Sequence, residues 1–104
     1  MFSLTNTDTY HTDTKHLISL LSHLSNICFK TDNRQILGLC VECMQSNNKH
    51  LVQSAVVFLI TSGLDGKLLV LNAVRDKDNF IHGEIIFNTN RILNPHLRLK
   101  TQTN

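Results

Sequence analysis

Apolar positions change their spacing along the chain, and each change predicts an element. Between residues 17 and 28, Leu17, Leu20, Leu21, Leu24 and Cys28 recur at helical intervals, and Ile18 and Ile27 widen the stripe. Ser19, Ser22, His23, Ser25 and Asn26 fill the other side. With Asp13 or Thr14 available as N-cap, the spacing predicts a helix over 14–29. Its last turn, Ile27-Cys28-Phe29, suits an extended chain equally well. Residues 1–13 hold polar turn formers without a sustained period and are expected to form a mobile arm.

After the polar segment 30–34 the apolar residues read as strands. Over 36–44, Leu37, Leu39, Val41 and Cys43 alternate with Ile36, Gly38, Cys40, Glu42 and Met44. Residues 51–62 and 67–74 read as two further strands, with Asp65-Gly66 between them suited to a type I′ hairpin turn. A fourth strand is predicted over 80–88 and a short added strand or basic tail over 91–104, where Pro95 limits its length. The fold expected is therefore mainly β with one N-terminal helix, a four-stranded antiparallel meander within a single domain over 14–90.

The two central strands of such a sheet are apolar on both faces, whereas an antiparallel meander normally keeps one face polar. One helix covers one face only. The other, carrying Val57, Leu59, Leu69 and Leu71, is expected to be covered by a protein partner or by a second copy of the chain, because each exposed Leu or Ile forfeits roughly 1.5–3 kcal/mol.

The stretch Ile60-Thr-Ser-Gly-Leu-Asp-Gly-Lys-Leu-Leu-Val-Leu-Asn72 resembles the second and third strands of a WD-repeat blade. Thr61 and Ser62 match the hydroxyl positions, Asp65 and Gly66 the turn, and Leu71-Asn72 stands where the family has Trp-Asp. The likeness spans about residues 34–88 and is nearest to late repeats of the WD-repeat auxiliary subunits of tRNA ribose methyltransferases. It implies a β-propeller fragment that binds partners, here in tRNA modification, and catalyses nothing itself. A propeller needs several blades of about 40 residues, so the resemblance also implies a truncated or split product. A free-standing helix-plus-meander protein is the alternative.

Composition alters this picture little. A chain of 104 residues fits one small domain, and a formal charge of +2 is too small to argue for nucleic acid. The basic end, with Arg91, Arg98 and Lys100, reads as a solvated tail. No apolar run approaches the roughly 20 residues that span a bilayer, and no membrane partner is expected. Three cysteines and no apolar leader point to a reducing, cytoplasmic setting.

Candidate chemistry is sparse. Cys40-Val-Glu-Cys43 has metal-ligand spacing, and Cys28 with His50, or His82, could complete a tetrahedral zinc site. In a strand, however, positions 40 and 43 face opposite ways, and buried free thiols are the plainer reading. The six histidines read as surface groups, and no serine–histidine–acid set has sequence context. The expectation is a non-enzymatic interaction module without a cofactor, with a small zinc-stabilised domain as the alternative.

Overall fold

In the computed structural model, which describes residues 7–94 and side chains from residue 13 onward, the segments 36–44, 51–62, 67–74 and most of 80–88, read above as strands, are helical. The elements are α1 (Thr7–Asn26), α2 (Arg34–Met44), α3 (Lys49–Ser62), α4 (Leu64–Arg75), a 3-10 turn (Lys77–Asn79) and α5 (Gly83–Leu93). No strand occurs among the described residues. The expected α+β meander is thus corrected to an all-helical domain, and the WD-repeat resemblance, with the propeller fragment and tRNA-modification role it implied, falls with it.

Local chemistry explains where the helices start and stop. Asn33 caps α2, its side chain accepting from the N–H groups of Gln35 at 2.9 Å and Ile36 at 3.1 Å. Asn48 caps α3 in the same way, accepting from His50 at 3.0 Å and Leu51 at 3.1 Å. Helix α1 begins at Thr7, earlier than Asp13 or Thr14, so the second half of the expected arm is helix, and residues 1–6 lie outside the described residues. It ends with Cys28 in the left-handed region at φ 56°, where Phe29 N–H reaches back to Leu24 O at 3.0 Å. Residues 95–104, most of the predicted basic tail, are likewise outside the described residues.

The alternation over 36–44 proves coincidental. Helix α2 buries Leu37, Cys40, Cys43 and Met44, a helical stripe, and leaves Leu39 exposed. Helix α3 buries Leu51, Val52, Ala55, Val56, Phe58, Leu59, Ile60 and Ser62, which covers nearly its whole circumference. The reason is position: α3 packs against α1, α2, α4 and α5 at once. A helix enclosed on all sides is apolar all round, which a strand-based reading takes for two buried sheet faces. The covering layer that seemed to be missing is supplied by the chain's own helices.

Burial recurs from one helix pair to the next. In α2 and α3 the buried residues include Cys40, Cys43, Val52, Ala55 and Phe58; about 30 residues further on, Val70, Ala73, Gly83, Ile86 and Thr89 are buried in α4 and α5. The domain is accordingly a short stack of helix pairs, with α1 before the first, in a body of 49 × 29 × 20 Å.

Two glycines hold α3 and α4 together. Gly63, at φ 139°, is the single residue between the helices, in a conformation that side-chain-bearing residues rarely adopt. At Gly66 a Cβ would collide with the Leu59 carbonyl oxygen and lie 2.5 Å from Ser62 Oγ. Asp65 and Gly66 therefore form no hairpin turn. They occupy the first turn of α4, where the glycine lets two backbones approach.

Candidate functional site

Helices α2 and α4 both lean on α3 but scarcely meet each other. The seam between them is a groove of about 400 Å³, with Leu37, Gly38 and Val41 on the α2 wall and Leu68 and Leu69 on the α4 wall. Arg34, Asp32 and Asp65 complete its polar end. A second hollow of about 440 Å³ adjoins there, bounded by Lys30, Thr31, Gly63 and Leu64, and it shares Asp32 and Asp65 with the first. Leu64 is 70% exposed and Leu68 48%, so apolar surface continues onto the rim.

The polar end is built on the last turn of α3. Thr31 N–H donates to Ser62 O at 3.0 Å, and Lys30 Nζ donates to Thr61 O at 2.8 Å. These bonds satisfy carbonyls that a helix C-terminus leaves open, and they pin the α1–α2 loop in place. Thr31 Oγ1 in turn accepts from Asn33 N–H at 3.0 Å, joining the loop to the cap of α2. Asp65 lies in the first turn of α4, where a carboxylate is favoured by the helix dipole. The salt bridge recorded among the described residues, Lys77 to Glu84 at 3.1 Å, lies elsewhere, so neither Asp32 nor Asp65 has an ion-pair partner there.

Gly38 stands out on this groove. It is an exposed mid-helix glycine, and a Cβ placed on it would meet nothing within 4 Å. Glycine in a helix interior costs about 1 kcal/mol relative to alanine, and no packing within the domain compensates that cost.

The residues singled out in the sequence are dispersed. Leu59 is fully buried in α3, and Val57 is half-buried beside a shallow hollow against α1. Leu69 lines the groove; Leu71, two residues on, is turned about 200° around the helix from it. The four do not form one face. Thr61 and Ser62 spend their hydroxyls on α3 itself, donating to Phe58 O at 3.1 Å and Leu59 O at 2.9 Å.

The candidate zinc ligands are not brought together among the described residues. Helix α2 does place Cys40 and Cys43 three apart on one face, but that face is buried, while Cys28 and His50 are exposed elsewhere. Among the described residues no three His, Cys, Asp or Glu side chains converge on a point that could hold a metal. His82 instead holds the α2–α3 loop, with Nε2 3.0 Å from Asn47 O. Burial, with Cys43 adjacent, pushes the Cys40 thiol up to about 12; burial, with Glu42 adjacent, pushes Cys43 to about 11. Both stay protonated at neutral pH and are poor nucleophiles.

Sequence reasoning missed Asp32, Arg34, Leu37, Gly38, Val41 and Leu68 as a group. The available signal was Gly38, a glycine inside an apolar run that starts three residues after an Asn cap. Among the described residues no helix is long and apolar enough to cross a membrane. No protein-family model, curated protein or solved structure matches the chain.

Proposed function

We propose that this domain is a docking scaffold without catalytic activity, whose α2–α4 groove receives a helical segment of another protein. One observation carries the reading: two helices share α3 as a floor without closing on each other, leaving an apolar channel with solvent-exposed leucines at its lip. An amphipathic helix laid in such a channel gains roughly 1.5–3 kcal/mol for each Leu-sized side chain it buries. The groove holds no nucleophile beside a base, which favours binding over chemistry. No cofactor is required by this reading.

The test is a titration of the labelled domain with an 18-residue helical peptide of Leu and Lys at heptad spacing, followed by amide correlation spectra. Shifts concentrated at residues 36–41 and 64–69 are expected. Shifts spread over α1 and α5, or none at millimolar peptide, would refute the proposal. A second copy of the chain is the competing occupant, and a monomer by light scattering at millimolar concentration removes it.

A further inference from the structure

The two ends of the helical stack are finished differently. Adjacent units touch at positions 31 residues apart: Lys30 Nζ donates to Thr61 O, Thr31 N–H donates to Ser62 O, and Ser22 and Gln53 line one hollow between α1 and α3. On the same spacing Leu21 and Val52 are both buried. The next positions differ. Leu20 and Ile27 are 52% and 56% exposed, whereas their equivalents in α3, Leu51 and Phe58, are buried, and the Phe58 ring stacks on Phe29, just past α1, with centroids 6.4 Å apart. Leu20 lies about 200° around α1 from Ser22, which faces α3, so the exposed pair is on the flank turned away from α3. Among the described residues no helix precedes α1 to cover that flank. The far end is closed by charge. The equivalents of buried Val56 and Ile60 in α5 are Phe87, with Lys77 Nζ 4.8 Å from its ring centre, and exposed Arg91. Lys77 also pairs with Glu84 at 3.1 Å. Ile81 and Ile92 are exposed there as well, but their equivalents His50 and Thr61 are exposed and half-buried, so no covered position is vacated. A polar outer face ends a helical stack, and an apolar one leaves it open.

We infer that α1 is a self-association surface, through which two copies of the chain pair about a two-fold axis and each supplies the helix that the other's stack lacks. His16, Leu20, His23 and Ile27, all exposed, are spaced by four, three and four residues, the seam spacing of two helices packed along their length. Two observations select a copy of the chain. The seam contains no Asp, Glu, Lys or Arg, so like faces meet without repulsion, and a two-fold contact covers both open flanks at once. Head-to-tail stacking is opposed by the far end, which would set Leu20 and Ile27 against Lys77, Glu84 and Arg91 and take those charges out of water. None of the four seam residues lines the α2–α4 groove or the hollow beside it, so this contact is independent of the docking role above.

Sedimentation equilibrium of the full chain from about 10 μM to about 1 mM tests the pairing. The mass is expected to rise from 11.8 kDa toward twice that value and to stop there. Leu20→Lys, Ile27→Lys changes two exposed side chains, and circular dichroism checks that it folds. Its association should be at least about tenfold weaker, because the two-fold contact sets the added charges together. Ile92→Lys, at the far end, should associate like wild type. Oxidation with diamide locates the contact: residue 20 lies near the middle of the seam, so Leu20→Cys in a Cys28→Ser background is expected to form a disulfide-linked dimer in either helix direction, and Ser22→Cys in the same background is expected to stay monomeric. A wild-type chain that is monomeric at about 1 mM or grows beyond the dimer overturns the inference. So does undiminished association of the folded Leu20→Lys, Ile27→Lys variant, loss of association in Ile92→Lys, or cross-linking of Ser22→Cys in place of Leu20→Cys. The peptide titration of the groove is decided separately from each of these.

Discussion

The same substitution at two glycines should move stability in opposite directions. Gly38→Ala adds a methyl group at an exposed helix position where nothing lies within 4 Å. The gain is the difference in helix propensity, about 0.8–1 kcal/mol, arising largely from the entropy that glycine loses on folding. For a domain of this size that corresponds to a rise in Tm of about 4–8 °C. Gly66→Ala offers the same propensity gain, but its Cβ would collide with the Leu59 carbonyl oxygen, which belongs to the backbone of α3 and cannot rotate away. Because the clash is with fixed backbone, prising α4 from α3 costs about 2–3 kcal/mol in forced displacement, and it loosens contacts of Val70 and Ala73 with the core. A net loss of about 1–2 kcal/mol is expected. Urea and thermal unfolding followed at 222 nm measure both variants against wild type. If Gly38→Ala destabilises, α2 does not face open space at residue 38 and the groove reasoning fails with it; if Gly66→Ala stabilises, the close approach of α4 to the Leu59 carbonyl is refuted.

Three further expectations concern caps and thiols. Asn48→Ala removes the acceptor for two N–H groups at the start of α3 and should cost about 1 kcal/mol in the same unfolding assay, whereas a change at the neighbouring exposed Lys49 should leave it nearly unaltered. Cys40 and Cys43 have folded-state values raised from an ordinary 9.0 to about 12 and about 11, so the unfolded chain loses its thiol protons first as pH rises. Their contribution is intact below pH 9 and is lost between there and pH 11–12, at roughly 1 kcal/mol per pH unit for each thiol. A Cys40→Ala, Cys43→Ala variant should show a shallower alkaline fall in stability than wild type; identical slopes would contradict the buried-thiol account. In the native protein a thiol reagent at neutral pH should label exposed Cys28 and spare the other two until the chain unfolds.

What the sequence determined by itself was local. The polar segment 30–34 does separate two elements, and Asn33 and Asn48, which the strand reading passed over as caps, act through short-range bonds to N–H groups two and three residues ahead. Of the predicted amphipathic stripe, Leu17, Ile18, Leu21 and Leu24 do pack on the core from a helix, whereas Leu20 is exposed and Ile27 and Cys28 lie exposed beyond its end. Tertiary structure decided the rest. Residues 51–62 are rich in Val and Ile and apolar at nearly every position, a composition shared by a central strand and a fully enclosed helix. The propensity difference between those states is a few tenths of a kcal/mol per residue. It is outweighed by enclosing Val52, Val56, Phe58 and Leu59 among four other helices, contacts that join residues far apart in the chain. The same long-range packing gave Gly66 its role against Leu59 and brought Asp32 and Asp65, thirty-three positions apart, to opposite walls of one groove. A hydrophobic run states that a segment is buried; which neighbours bury it, and so whether it coils or extends, is settled only when the whole chain has packed.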